Sequence, residues 1–217
     1  MAGIFITLEG PDGAGKTTQV KKLADWLKEL AVPHVVTREP GGTPISDAIR
    51  ALLLDPNHKE MASPTEILLY AASRAQHVEE KIKPALAKGW VVLCDRFVDA
   101  SIAYQGYGLE MPVEEIEKIN QFATGGLKPT RTYLIDLSPE VGKQRLQARV
   151  SPGGAELDRI EQKQISYHER VREGFYRIYK ENEERMVLID GNRQQEELFE
   201  VIKEDLEALL RQNQFLK

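Results

Sequence analysis

The chain has 217 residues, 41% hydrophobic and 29% charged, the profile of a soluble globular protein large enough for a proper core. Its formal net charge of −5 argues against nucleic-acid binding through a basic face, so any anion site has to be a local gathering of Arg and Lys. The single cysteine, Cys94, excludes an internal disulfide and points to a reducing, cytoplasmic compartment, and no apolar run approaches the ~20 residues of a membrane span.

An apolar run at 4–8 leads into Gly10-Pro11-Asp12-Gly13-Ala14-Gly15-Lys16-Thr17-Thr18, the spacing G-x-x-x-x-G-K-[ST]. Val20, Leu23, Ala24, Leu27 and Leu30 then recur at a helical period. Strand, loop and helix in this order predict a phosphate-binding loop for a nucleoside triphosphate. Glycines let successive N–H groups face phosphate oxygens, Lys16 reaches the β- and γ-phosphates, and the Thr17 hydroxyl helps to hold Mg²⁺. The positive dipole end of a helix starting near Gly15 adds to the same anion site.

A second strand, 34–37, runs into Thr37-Arg38-Glu39-Pro40-Gly41-Gly42-Thr43, and Thr43-Pro44 opens a helix. Ser63-Pro64-Thr65-Glu66 reads as a capping box that starts a helix reaching about residue 87. Tyr70 and Arg74 share a face of it. The pair suits a stacked heterocyclic base with a carbonyl to bond, although spacing alone favours Tyr70 as core. A third strand, 90–94, ends in Cys94-Asp95-Arg96. Beside a phosphate loop, an Asp in that position orients Mg²⁺ and its waters; the alternative is a helix N-cap. Arg38 and Arg96 then fall at neighbouring strand ends, where two planar forks make a receptor for a second phosphorylated substrate. Ser101-Ile102-Ala103-Tyr104-Gln105-Gly106 adds a small polar and aromatic cluster.

A fourth strand spans 132–137, and Ser138-Pro139 begins another helix. Residues 150–156, Val-Ser-Pro-Gly-Gly-Ala-Glu, join two charged helices, with Arg145, Arg149 and Arg159 on either side. The segment is either a lid over the phosphate site or a solvated connector. A fifth strand spans 186–190, and the last helix carries Leu198, Ile202, Leu206, Leu209 and Leu210 on one side. The four histidines have no metal-site spacing and read as structural or surface residues. Five strands of continuous rather than alternating hydrophobicity, separated by helices, predict a doubly wound α/β parallel sheet with its ligands at the carboxyl ends of the strands.

Together the phosphate loop, Arg38 through Thr43, Tyr70 through Gln76, Asp95-Arg96-Phe97, Ala103 through Gly106 and Leu157-Asp158-Arg159-Ile160-Glu161 closely resemble the thymidylate kinases, the bacterial ones in particular. The resemblance covers nearly the whole chain. It implies a P-loop NTPase-type fold, one nucleoside monophosphate kinase domain over 1–217 with a lid at about 145–160, and transfer of the ATP γ-phosphate to dTMP. It implies contacts of Asp12 with the sugar 3′-hydroxyl of dTMP, of Arg38 and Arg96 with its phosphate, and of Arg74 with the thymine carbonyl. Ser101 and Gln105 lie near the base, Tyr70 stacks on it in place of the usual phenylalanine, and Tyr104 crowds the sugar C2′. ATP falls to residues 10–18 and Mg²⁺ to Thr17 and Asp95, directly or through water. With no arginine in the phosphate loop, the catalytic one belongs to the lid. Because the lid is lengthened by Ser151-Pro152-Gly153-Gly154, that arginine is either Arg149 or Arg159, and Arg145 is left to stack on adenine. The resemblance also suggests a homodimer.

Another monophosphate kinase is the nearest rival. A guanine-nucleotide switch would need an Asn-Lys-x-Asp motif, which the chain lacks, and a non-catalytic ATP-binding module leaves the arginine clusters unexplained.

Overall fold

The structure, a computed structural model, describes residues 3–149 and 156–216, the side chain of Arg149 excepted. Strands β1 (Ile4–Glu9), β2 (His34–Arg38), β3 (Val91–Asp95), β4 (Arg131–Asp136) and β5 (Met186–Asp190) form one sheet in the order β2-β3-β1-β4-β5. Every pairing is parallel, so all five carboxyl ends open on the same edge. All five predicted strands are present, to within a residue at most ends.

The helices are α1 (Lys16–Glu29), α2 (Pro44–Leu54), α3 (Ser63–His77), α4 (Lys83–Ala87), α5 (Val98–Ser101), α6 (Val113–Thr124), α7 (Pro139–Arg149), α8 (Ile165–Glu181) and α9 (Gln195–Gln212). They cover both faces of the sheet, which is why the strands carry apolar residues toward both sides. Ile4, Ile6 and Leu8 of β1 point to one face and pack with Leu23 and Leu27 of α1 and Ile202 and Leu206 of α9. Phe5, between them, points to the other face and packs with Val78, Ile82 and Phe97. A third cluster, around Phe175 of α8, ties α3 and α6 to Leu134 of β4 and Met186 of β5. Among the described residues no helix is long and apolar enough to cross a membrane.

Two helix starts follow their sequence signals: Thr43 caps α2 by accepting from the Ser46 N–H at 3.3 Å, and Ser138 accepts from Val141 at the head of α7. Ser63 does not behave as expected. The N-cap of α3 is Ala62, without a side-chain cap, and Glu66 turns inward to buried partners instead of back to the helix end. The stretch from Ser63 to Ala87 is helical throughout, as anticipated, but widens into a π-helical turn at Val78–Ile82. A second π-helical stretch, Ile102–Gly108, follows α5. The helix expected soon after residue 156 begins only at Ile165. The proposed lid, 150–155, lies outside the described residues.

Candidate active site

Packing of Gly10 against β4 brings the loop after β1 to the sheet edge. A Cβ on Gly10 would stand 2.2 Å from the Ile135 carbonyl oxygen, and its φ of 138° suits glycine alone. The loop then curls through Gly13 and Gly15, both at positive φ, and Gly15 forms the N-cap of α1. Lys16, the first helical residue, folds back so that its Nζ donates to Gly10 O at 3.0 Å and Pro11 O at 2.8 Å. Burial, with the Arg96 guanidinium nearby, pushes Lys16 down to about 8 despite Asp95 and Asp12. The Thr17 hydroxyl donates to Asp95 Oδ2 at 2.5 Å.

Asp95 ends β3, and its register opposite Arg38 brings Arg38 and Arg96 to adjacent strand ends, as expected. Asp95 is not an N-cap: α5 begins at Val98 after Phe97. Arg96 has a left-handed φ of 71°, costly for a residue with a Cβ. Several bonds hold it there. Its N–H donates to Leu8 O at 3.0 Å, Nη1 to Gly10 O at 2.8 Å, and Nη2 to Asp12 Oδ1 at 2.6 Å and Tyr104 OH at 3.0 Å. Tyr104 OH donates to Asp12 Oδ2 at 2.8 Å, and the guanidinium lies 4.8 Å from the Tyr104 ring centre. Burial opposes ionisation of Asp12, but Arg96 and Lys16 outweigh it and hold the carboxyl at about 2. Behind this unit stands Glu9, fully buried: Oε1 accepts from the Phe97 N–H at 2.7 Å, while Oε2 has no hydrogen-bond partner among the described residues. Burial and the neighbouring Asp99 carboxylate raise Glu9 to about 8.

Arg74 reaches the same region from α3, almost wholly buried. Nε donates to Glu39 Oε2 at 2.7 Å, Nη1 to Ser101 Oγ at 2.9 Å and to Asn120 Oδ1, and Nη2 to Phe97 O at 3.0 Å. Glu39 Oε1 in turn accepts from His77 Nδ1 at 2.9 Å, and His77 Nε2 meets Thr37 Oγ1 at 2.6 Å. A carboxylate only accepts, so Nδ1 carries the imidazole proton. His77 is structural, as anticipated.

These groups surround a cavity of about 990 Å³ at the carboxyl ends of the strands. Of the expected site residues, Asp12 through Thr18, Arg38, Tyr70, Arg74, Asp95, Arg96, Ser101, Tyr104, Gln105 and Arg145 line it. Tyr70 is thus half-buried at the cavity wall and not in the core, where spacing alone would put it. Arg145 donates to Gly13 O at 3.3 Å and Gly191 O at 3.1 Å, next to residues 192–195, which also line the cavity. Gly10 and Pro11 stay behind the wall and serve through their carbonyls. Arg159 is also off the wall. It is 7% exposed, donates from Nε to Leu53 O at 2.8 Å, and pairs with Glu66 at 2.8 Å. The Arg149 side chain lies outside the described residues.

The structure adds residues that the sequence did not single out. Arg50 of α2 lines the cavity, donates to Pro40 O at 2.9 Å and is pushed down by burial and by Arg38. Its only signal was one more arginine after Thr43. Glu39 and Asn120 carry no local signal, because their partner, Arg74, is 35 and 46 residues away.

The loop, the sheet order and a cavity lined by Lys16 and several guanidiniums, Arg38, Arg50 and Arg96 among them, define a P-loop enzyme with space for two phosphorylated ligands. The chain belongs to the thymidylate kinase family: residues 8–202 match the family described as "Thymidylate kinase". A thymidylate kinase of Exiguobacterium sibiricum is 53% identical over 216 residues, covering 100% of each chain. One of Lactobacillus helveticus is 45% identical over 211 residues, 97% of this chain and 98% of the other. Among solved structures, the thymidylate kinase of Ehrlichia chaffeensis superposes with a TM-score of 0.70 at 35% identity, over 87% of this chain and 93% of the other.

Proposed function

We infer that this family member transfers the γ-phosphoryl group of ATP to dTMP, giving ADP and dTDP for nucleotide biosynthesis. One observation carries the reading: the phosphate loop with Lys16 and the guanidiniums of Arg38, Arg50 and Arg96 face a single cavity at the strand ends. ATP takes residues 12–18 with its phosphates and the 192–195 loop and Arg145 with its base. dTMP takes the other arm, with its phosphate toward Arg38, Arg50 and Arg96 and its base between Tyr70 and Arg74. Tyr104, bonded to Asp12, packs against the sugar where a 2′-hydroxyl would have to fit. Asp12 meets the 3′-hydroxyl.

The attacking oxygen belongs to a phosphate monoester whose second pKa is about 6, so it is ionised at neutral pH and no general base is needed. The obstacle is repulsion between two polyanions. Lys16 and the three arginines oppose it and keep the phosphates in line, so catalysis is positioning and charge stabilisation. Lys16 leaves its carbonyl partners for phosphate oxygens. Thr17 Oγ1 and the Asp95 carboxylate are hard oxygen donors side by side, a pairing that suits Mg²⁺ completed by phosphate oxygens and water. Held by Thr17 and Asp95, the ion would supply positive charge against the phosphate charge that builds up during transfer. A lid arginine adds the last positive charge; Arg149 fits that role better than Arg159, which is already tied to Glu66.

The whole chain acts as one unit, in a reducing cytoplasm that suits the buried thiol of Cys94. A homodimer is supported by Leu68 of α3 and Phe122 of α6, 58% and 90% exposed on neighbouring helices. F122D is expected to yield a monomer in sedimentation. The test of the main reading is ADP release with a panel of acceptors: dTMP and Mg-ATP should give brisk turnover and UMP, CMP and dCMP little. Turnover with another acceptor but none with dTMP would overturn it.

A further inference from the structure

A guanidinium offers five N–H donors, and one that reads a single carbonyl has to keep the other four occupied. Arg74 meets this condition: Glu39 takes Nε–H, Ser101 and Asn120 take both protons of Nη1, and Phe97 O takes one of Nη2. The Phe97 ring, 5.5 Å from the guanidinium carbon, fixes the plane from one side. One Nη2 proton remains for the cavity that Arg74 lines.

Asn120 is the member of this set that no reading of the site has used. It is 2% exposed on α6. Its Nδ2 donates to Ile116 O at 2.8 Å, and this turns its Oδ1 toward Arg74. The reversed amide would set donor against donor at Arg74 and acceptor against acceptor at Ile116 O. Thr124 Oγ1, one turn on, donates to the Asn120 carbonyl at 2.9 Å and steadies the backbone there. A neutral amide also adds no second charge, so the Arg74–Glu39 pair stays balanced in a place with almost no water.

We propose that Asn120 is a positioning residue for base selection: by holding the second Nη1 proton it leaves Arg74 a single directed donor. Such a donor accepts a pyrimidine with a carbonyl at its 4-position and disfavours one with an amino group there. This rests on the reading of Arg74 as the base-contacting residue. Without Asn120, an Nη1 proton is freed in a buried setting, and the guanidinium can turn to offer different donors to either base.

The test is a double-mutant cycle of N120A and R74A, with kcat and KM for dTMP and dCMP at saturating Mg-ATP. N120A should lower the kcat/KM preference for dTMP over dCMP about tenfold, a factor equal to about 1.4 kcal/mol, chiefly through KM for dTMP. KM for ATP should move less than about twofold, because the donor arm is untouched. In the R74A background N120A should change the preference no further. An unchanged preference in N120A beside a lost one in R74A overturns the positioning role and leaves base reading by Arg74 intact. An equal loss in both backgrounds overturns it too, since Asn120 would then act independently of Arg74. A preference that survives R74A removes the base-reading role itself. Should N120A fold poorly, N120S keeps a donor for Ile116 O but withdraws the oxygen from Arg74; it should lose the preference as N120A does, and an unchanged preference in N120S overturns the proposal.

Discussion

Asp12 of the phosphate loop and Arg96 at the end of β3 are paired at 2.6 Å, with Tyr104 OH bonded to both. The phosphate loop and the end of β3 are therefore joined by one hydrogen-bonded unit at the cavity wall. Arg96 can serve it because its fork meets Gly10 O, Asp12 and Tyr104 at once. A lysine offers no planar fork and cannot span the three. R96K should lower kcat/KM for dTMP by about two orders of magnitude, roughly 3 kcal/mol, with KM for ATP changed far less. Steady-state kinetics with each substrate varied in turn checks it; equal losses for both substrates would refute the acceptor-side assignment.

Lys16 is depressed to about 8 by burial and by Arg96. Triphosphate oxygens favour the ammonium, so ATP binding draws in a proton wherever the free protein has released it. Uptake should be near zero at pH 7 and approach roughly one proton at pH 9, and affinity should fall as pH rises through 8. Calorimetry in buffers of different ionisation enthalpy reads this directly, and K16R should abolish it. In the ligand-free protein the sign is fixed by the same shift. The unfolded chain holds the Lys16 proton up to about 10.5, so this group makes stability rise with pH between about 8 and 10.5.

The sheet was legible because strands covered on both faces leave uninterrupted apolar runs, and Ile4 to Leu8 shows the effect at its plainest. The donor loop was legible because its chemistry is local: Gly10 to Thr18 are consecutive. Other features depend on partners distant in sequence. Glu66 looked like a capping residue because Ser63 stands three before it, yet it bonds Gln105 and Arg159. Arg38 and Glu39 are adjacent in the chain and diverge in space, Arg38 to Asp47 at the surface and Glu39 to buried Arg74 and His77. Two π-helical stretches, at Val78–Ile82 and Ile102–Gly108, have no pattern of their own to betray them: the first keeps ordinary helical composition, and the second, with Gly106 and Gly108, reads as a break in a helix.

Glu9 holds a proton well into the neutral range, at about 8, because burial and Asp99 oppose its charge. Its pKa is raised on folding, so the native state binds the extra proton between about 4.5 and 8. The stability this provides is complete below 4.5 and disappears as pH rises through 8. The slope is at most about 1.4 kcal/mol per pH unit for one proton. E9Q keeps an oxygen for the Phe97 N–H and cannot ionise. Thermal melting from pH 5 to pH 9 should show wild type losing stability relative to E9Q; parallel curves would mean that Glu9 is ionised throughout.

Arg149 and Arg159 flank the lid, and their separate roles can be told apart by what each loss damages. Arg159 is 6% exposed against a Glu66 that is 2% exposed, so removing the arginine strands a buried carboxylate. R159M should cost roughly 3 kcal/mol and lower Tm by roughly 6–12 °C. E66Q/R159M should recover part of this, since glutamine still accepts from Gln105 and carries no charge. Below its melting range R159M should keep kcat within about fivefold, as its side chain does not line the cavity. R149A should lower kcat by about 10³, the scale of an arginine that meets transition-state charge. Should the folded R159M enzyme lose kcat on that scale while R149A keeps it, the pairing with Glu66 must open during turnover and the catalytic charge belongs to Arg159.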